Sequence, residues 1–425
     1  MAMKAAIVLG LFMATLGLIA SGRVARCVAA LAGAALLMGM GFISFETAIG
    51  YVDFNTLGLL MGMMIIVGVL SRTGVFQYVA VKTMKLTRGN GIVTLFAIAG
   101  VTAFLSAFLD NVTTVLLISP IVVSVADIMD TDPVPLLMAE ALASNIGGTA
   151  TLIGDPPNII IGSYAGFSFV DFLVYLAPVA IVVLFAAVLF LAFHFRDELV
   201  ITPDQFARIR GIDEKKTIKD GKLLLKAGLA MGAVLTGFIL HHVLHLEAAV
   251  VALLGASLLL LVTPGDGDHI IHNDVEWPTL IFFLALFIVV GALKEAGIIS
   301  IIAKGLAAAV AGHPFLAALA ILWFSGLSCA FINNVAFTAT FVYVVDEMAQ
   351  ALSTSAEPLF WALALGACLG GNGSFLGSAA NVVVADISRR AGHVISFGGF
   401  MKIGMKTTVL SLSIASLYLF LRFGL

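Results

Sequence analysis

The sequence predicts an all-α polytopic membrane protein made of two inverted repeats. Each repeat has five transmembrane helices and one re-entrant hairpin, giving ten crossings and two hairpins. Three observations carry this prediction. The first is composition. Of 425 residues, 61% are hydrophobic and 11% charged, and the mean hydropathy is +1.12. Apolar runs near the roughly 20 residues that cross a bilayer recur from end to end. A transmembrane barrel would show short alternating strands instead. The second observation is an internal duplication. The third is a set of polar, glycine- and proline-rich breaks at matching places in both copies.

The duplication appears when the chain is shifted by 223 residues against itself. "TLGLLMGMMIIVGVLSRTG" then falls on "TLIFFLALFIVVGALKEAG", and Thr56, Leu57, Ile65, Val67, Gly68, Leu70 and Gly74 meet identical residues. Asp110 and Asn111 meet Asn333 and Asn334, and Pro135 meets Pro358. "GGTATLIGDPPN" falls on "GGNGSFLGSAAN", pairing Gly147, Gly148, Gly154 and Asn158 with Gly370, Gly371, Gly377 and Asn381. One gap-free offset serves every match. Residues 5–20 pair with 228–243. The first apolar segment could be mistaken for a signal peptide, but its repeat partner marks it as a retained helix.

The elements follow in order. In repeat 1 (residues 1–200), runs 5–20, 27–43 and 57–70 are three crossings. Residues 91–129 are apolar except at Asp110 and Asn111, too long for one crossing and too short, with that break, for two. A hairpin over about 91–130 fits, because non-helical backbone at membrane depth is tolerated only inside protein or along a cavity. Pro135 opens a broken helix over about 135–165, and 172–195 closes the repeat. A charged linker (201–223) leads to repeat 2 (224–425), with crossings at 223–244, 248–262, 279–293 and 407–423. Its hairpin is expected at about 314–351 and its broken helix at about 357–387.

Five crossings per repeat is odd, so the second repeat is inverted. Charge supports this. With the linker region 196–226 placed in the cytoplasm, eighteen of the 22 Lys and Arg fall on that side, and only Lys4, Lys294, Lys304 and Arg422 fall on the other. The expected location is the cytoplasmic (inner) membrane, with the N-terminus outside. The net charge of -3 says little, because the charges are segregated.

Several classes are excluded. Three cysteines without paired spacing make no disulfide framework. There is no P-loop, zinc motif or dinucleotide fingerprint. The sequence therefore points to no enzyme, no cofactor, no bound metal and no nucleic-acid partner. Any ATPase would be a separate cytoplasmic subunit, and no motif sets the oligomeric state.

Inverted repeats with discontinuous helices mark secondary transporters, with the solute site at the repeat interface. Two hairpin tips and two breaks bring free N–H and C=O groups and helix dipole ends together. Glycine lets backbone approach a solute, and paired prolines keep the helix from reclosing. Asp110 aligns with Asn333 and Asp155 with Ser378, so repeat 1 has acids where repeat 2 is neutral. An acid at membrane depth is a functional-site hypothesis by default. Asp110 and Asp155 are the expected proton or cation carriers; the bland alternative is a helix cap.

"FLSAFLDNVTTVLLISP" with "NIGGTATLIGDPPNIIIGS" resembles the ion transporter superfamily, specifically its ArsB/NhaD branch. That branch includes arsenite efflux permeases, sodium–proton antiporters and the melanosomal P protein. The resemblance spans nearly the whole chain. It implies a scaffold, a transport part of hairpins and broken helices that moves like an elevator, and proton-coupled exchange. It implies a binding site of Asn111, Thr113, Thr114, Gly154, Pro157 and Asn158, with Asn333, Asn334, Asn372, Ser374, Ser378 and Asn381 from repeat 2. The compact chain fits prokaryotic exporters such as the arsenite permease better than the P protein.

The expected function is secondary efflux of arsenite or antimonite in exchange for protons. Cys329 and Cys368 lie beside the motifs, and their repeat mates are Ser106 and Asn145. Trivalent arsenic and antimony are thiophilic, although cysteine is also a small packing residue. Amides, hydroxyls and backbone groups could hold the uncharged trihydroxy acid. The alternative is a sodium (or lithium)/proton antiporter, since hard cations want oxygen ligands and negative charge. An organic anion is disfavoured, because no Lys or Arg lies in the four motifs. A channel is disfavoured because it needs a continuous pore. His241 and His245, one turn apart, are expected at an interfacial polar face. Glu140 is expected to pair near the cytoplasmic surface, and Asp386 with Arg389 and Arg390 to mark the cytoplasmic boundary.

Overall fold

The structure is a computed structural model that describes residues 2–200, 202, 204, 213–263, 267–310 and 313–424. Part of the expected linker, with Arg208 and Arg210, and the side chain of His241 lie outside the described residues. All regular structure among the described residues is helical. The first half runs α1 (Ala2–Ser21), α2 (Arg26–Gly39), α3 (Phe45–Gly50), α4 (Phe54–Arg72) and α5 (Val75–Leu86). Next come the hairpin arms α6 (Gly91–Phe108) and α7 (Asn111–Met129), then α8 (Val134–Thr149), α9 (Pro156–Ala165), α10 (Phe169–Tyr175) and α11 (Ala177–His194). The second half repeats the series as α12 (Gly221–Leu244), α13 (Ala248–Leu261), α14 (Gly267–Asn273), α15 (Trp277–Glu295) and α16 (Ile298–Ala309). It ends with α17 (Pro314–Cys329), α18 (Asn334–Leu352), α19 (Glu357–Gly370), α20 (Ala379–Arg390) and α21 (Phe397–Phe423).

Among these described α-helices only α10 lacks a partner in the other half. Gly166, at φ 72°, ends α9 in the left-handed region, and Ser168 and Asp171 form a capping box that starts α10 at once. The chain bends by 114° between α9 and α10. In the second half α21 instead continues unbroken for 27 residues.

Helix lengths adjust the expected crossings. Among the described residues, eight helices are long and apolar enough to span a bilayer. They include α6, α7 and α18, so three of the four hairpin arms are individually long enough to cross. The expectation that residues 91–129 are too short for two crossings is corrected. What makes α6 and α7 a hairpin is their shared tip, which ends against the break between α8 and α9. Conversely, α2 and α13 have only 14 residues each.

The packing exchanges the halves. α4 packs on α13, and α2 on α15; α1 and α12 flank these pairs. Small residues allow the approach: a Cβ at Gly62 would stand 2.7 Å from the Ala252 carbonyl carbon. We call this six-helix group the scaffold, as a label for its packing alone. In the other group α6 packs on α8 and α17 on α19, while α7 packs on α20 and α18 on α9, crossing between halves. From Pro135 to Thr149, α8 is wholly buried, as α19 is from Leu359 to Gly370. A helix enclosed on all sides needs no polar face, which is why neither shows an amphipathic stripe.

One end of the molecule gathers the basic residues. There Lys85 pairs with Glu214 at 2.6 Å, Arg72 with Asp274 at 2.8 Å, and Lys226 Nζ donates to the Val262 carbonyl. Asp386 pairs with Arg389 and Arg390. We call this the linker face. Lys294, over the Tyr343 ring, and Arg422, over the Tyr175 ring, lie at the opposite end.

Candidate functional site

Each break is built the same way. After α8 the chain leaves helical geometry, and Asp155 is extended at φ -142°, ψ 133°. Its repeat mate Ser378 has φ -137°, ψ 142°. The carbonyls freed by unwinding need donors at this depth. Asn158 Nδ2 supplies them in the first half, donating to the carbonyls of Gly148, Thr149 and Thr151 at 3.3, 3.1 and 2.8 Å. Asn381 Nδ2 does the same for Gly371 and Ser374 at 2.8 and 2.9 Å. Each hairpin is pinned to its break by a hydroxyl. Thr151 Oγ1 donates to the Ala107 carbonyl, and Ser374 Oγ to that of Ala330. Glycine permits this approach: a Cβ at Gly154 would lie 2.6 Å from the Ser106 oxygen.

The hairpin tips are capped helices. Asp110 Oδ1 accepts from the backbone N–H groups of Val112 and Thr113 at 2.8 and 3.0 Å, and Oδ2 accepts from Thr113 Oγ1. Asn333 Oδ1 accepts likewise from Val335 and Ala336 at 3.2 and 3.3 Å. Capping is therefore common to both halves, and asparagine suffices for it. Thr113 and Thr114 serve their own helix, Thr114 Oγ1 donating to the Asp110 carbonyl at 2.9 Å.

Asp155 differs. It makes no side-chain cap on α9, whereas Ser378 accepts from Ala380 N and caps α20. Asp155 is fully buried. Its donors are amides from both hairpin tips: Asn111 Nδ2 at 3.3 Å, and Asn334 Nδ2 at 3.3 Å to the other oxygen. No counter-ion to Asp155 occurs among the described residues.

Asn145 is the hub that the sequence reading did not place in the site. Its Oδ1 accepts from Asn111 Nδ2 at 3.0 Å and Ser378 Oγ at 2.8 Å. Its Nδ2 donates to Asn372 Oδ1 at 2.8 Å and Asn381 Oδ1 at 3.0 Å. The repeat mate, Cys368, plays part of the same role, with Sγ donating to Asn158 Oδ1 at 3.4 Å. Cys329 and Cys368 are fully buried. Neither lines the cavity described next, and both are packed among the breaks, the alternative role weighed for them. Glu140 is also fully buried and has a neighbour as its partner, with Ser119 Oγ donating to it at 2.8 Å.

A cavity of about 290 Å³ reaches this network. Asp110, Asn111, Asp155, Pro156, Asn333, Asn334 and Ser378 form its polar wall, and Leu60, Met64, Phe282 and Phe283 of the scaffold form its apolar wall. Pro157, Asn158, Asn372, Ser374 and Asn381 lie behind that wall and knit the breaks. At the linker face the cavity is bounded by Arg26, Cys27 and Glu276. The sequence reading took Arg26 as a boundary charge and found no cation in the motifs. The fold carries one in from α2, which removes the stated objection to an anionic solute. Among the described residues no group of His, Cys, Asp and Glu is arranged to hold a metal ion.

Comparisons with known proteins agree with this architecture. The profile of the CitMHS family, described as "Citrate transporter", matches residues 16–366. A "46 kDa membrane protein" of Mycobacterium leprae is 41% identical over 98% of both chains. An uncharacterized transporter of Mycobacterium tuberculosis is 41% identical over 97% of both. The mouse P protein is 33% identical over 93% of this chain and 57% of its own length. In fold, the chain is similar to the YdaH transporter of Alcanivorax borkumensis, with a TM-score of 0.60 at 14% identity, covering 94% of this chain and 97% of that one. The chain thus belongs to the CitMHS family, and it is a multi-pass membrane transporter, not an enzyme.

Proposed function

We propose that the protein is a proton-coupled secondary transporter of a small solute, with Asp155 carrying the coupling proton. The observation that supports this is the placement of Asp155. It is the carboxylate that no helix end uses, it lies between the two hairpin tips, and it faces the cavity. In a membrane interior its charge needs a proton or a cation before the site can cross. The hairpin group would carry the site past the scaffold in an elevator motion, which the apolar scaffold wall would allow. The chain would lie in the cytoplasmic membrane with the linker face inside, consistent with the segregation of Lys and Arg.

For the solute, the metalloid reading rests on the motifs alone, since none of the relatives named above is described as an arsenite permease. In its remaining form, amides and hydroxyls rather than thiols would hold the trihydroxy acid, and protons would be exchanged for it. A small carboxylate is the second reading, favoured by Arg26 in the cavity and by the family description. Sodium would use Asp110 and Asp155 directly as ligands.

The test is transport in energised everted vesicles given arsenite, antimonite, sodium, lithium or citrate in turn. Solute movement and the pH gradient are followed together. Accumulation of one solute that a protonophore abolishes is the expected result. Solute movement indifferent to the protonophore would sink proton coupling, and gradient collapse by sodium or lithium alone would make Asp155 a cation ligand.

A further inference from the structure

Resting on that transport reading, we propose that Arg26 determines specificity as a one-sided docking point for an anionic oxygen group of the solute. It would act when the site opens to the linker face and have no equivalent on the opposite side.

The arginine is placed where no hydrogen bond or ion pair among the described residues takes up its charge. It is the first residue of α2, where a cation opposes the helix dipole. It is half-buried in the cavity wall. None of the ion pairs among the described residues uses it. A guanidinium offers five donors in a planar fork that matches a carboxylate or similar oxyanion.

The acids in the same cavity are already supplied. Asp110 accepts from two backbone N–H groups and a hydroxyl. Asp155 accepts from two amides. Glu276 Oε2 accepts from Thr279 Oγ1 at 2.9 Å. Arg26 is the group whose hydrogen-bonding capacity is left for a ligand.

The asymmetry comes from the repeat. Glu276 has an acidic mate, Asp53, which likewise starts its helix and accepts from Thr56. Arg26 has Ala249 as its mate. That position is taken up by helix packing, since a Cβ at Gly58 would stand 3.0 Å from the Ala249 methyl. Exchanging one scaffold side for the other therefore keeps this acid and removes the guanidinium. Because α2 belongs to the scaffold, a hairpin group that moved away would leave Arg26 behind.

The experiment measures citrate, sulfate and phosphate binding to purified full-length protein by calorimetry. It compares wild type with Arg26→Ala, Arg26→Gln and Arg26→Lys. Loss of a charge-assisted hydrogen bond predicts about 10- to 100-fold weaker anion binding in the Ala and Gln variants, with part restored in Lys, which keeps charge but not the fork. Transport of the bound anion, measured from each side of oriented vesicles, should show the rise in KM on the linker side only. Three results overturn the proposal: Ala and Gln variants that bind as wild type does, a wild type that binds none of the three anions, or equal KM changes from both sides. Asp155→Asn, run in parallel, separates the readings. If it keeps protonophore-sensitive accumulation while the Arg26 variants behave as expected, the coupling assignment fails and the anion site stands.

Discussion

Asn145→Ala should cost the protein more stability than any other single truncation at the breaks. The side chain makes four hydrogen bonds of 3.0 Å or less, to Asn111, Ser378, Asn372 and Asn381. They join one hairpin tip and two parts of the second break to α8. Interhelical hydrogen bonds in a membrane protein average about 0.6 kcal/mol, so four sum to about 2.4 kcal/mol. The partners left without one another raise the cost toward about 4 kcal/mol, because buried groups cannot turn to water. Asn145→Cys should lose less, about 1.8 kcal/mol, if the thiol keeps one donor as Cys368 does. The assay is unfolding of purified protein in mixed micelles titrated with SDS. An Asn145→Ala protein within about 0.5 kcal/mol of wild type would refute the reasoning, since differences that small fall in the range of ordinary surface changes.

Other predictions follow from the same geometry. Asp110→Asn should keep folding and most transport, because Asn333 makes the same cap in the other half, whereas Asp110→Ala should lose about 1 kcal/mol of stability. Both are read by SDS titration and vesicle uptake. Gly154→Ala places a methyl 2.6 Å from the Ser106 oxygen and 2.7 Å from Gly148 Cα. It should cost about 1–3 kcal/mol and stop transport, while Gly100→Ala, with nothing within 4 Å, should do neither. At the linker, the hydrogen bond from Lys85 holds the Glu214 carboxyl below its ordinary value. The attachment of the linker turn Glu214–Thr217 to α5 is therefore present above the ordinary glutamate range and lost as pH falls through the lowered value. Proteolysis of the linker should speed up over that acid window and with added salt; a rate flat in both would contradict the contact.

The duplicated motifs were legible because glycine, asparagine and acid positions keep one register. Asn158 and Asn381, Thr151 and Ser374, and Asp110 and Asn333 each do in their own half what their mate does in the other. Function was harder to read than position. Asn158 and Asn381 resemble solute ligands in a sequence, yet they serve carbonyls released by the breaks. Asn145 was hidden because its mate is a cysteine and because α8 is otherwise uniformly apolar. Asp110 and Asp155 look equivalent until the structure shows that Asp110 caps its helix, as its mate does, whereas Asp155, unlike its mate Ser378, caps nothing. Arg26 lies 84 residues before Asp110 in the chain, and the packing of α2 against α15 brings it to the cavity. The length of the hairpin arms was misjudged because the tip interrupts an apolar run whose two halves are each long enough to cross.

The central claim is that Asp155 carries the proton that couples transport. The direct measurement uses purified wild-type and Asp155→Asn protein in proteoliposomes, with the solute identified in vesicles. Two activities are compared: exchange of labelled for unlabelled solute at equilibrium, and uphill accumulation driven by a pH gradient. The account predicts that Asp155→Asn loses gradient-driven accumulation and proton movement while still exchanging solute, because the amide keeps the shape of the site and cannot release a proton. An Asp155→Asn protein that accumulates solute against its gradient at the wild-type level, with protons moving as before, would contradict it.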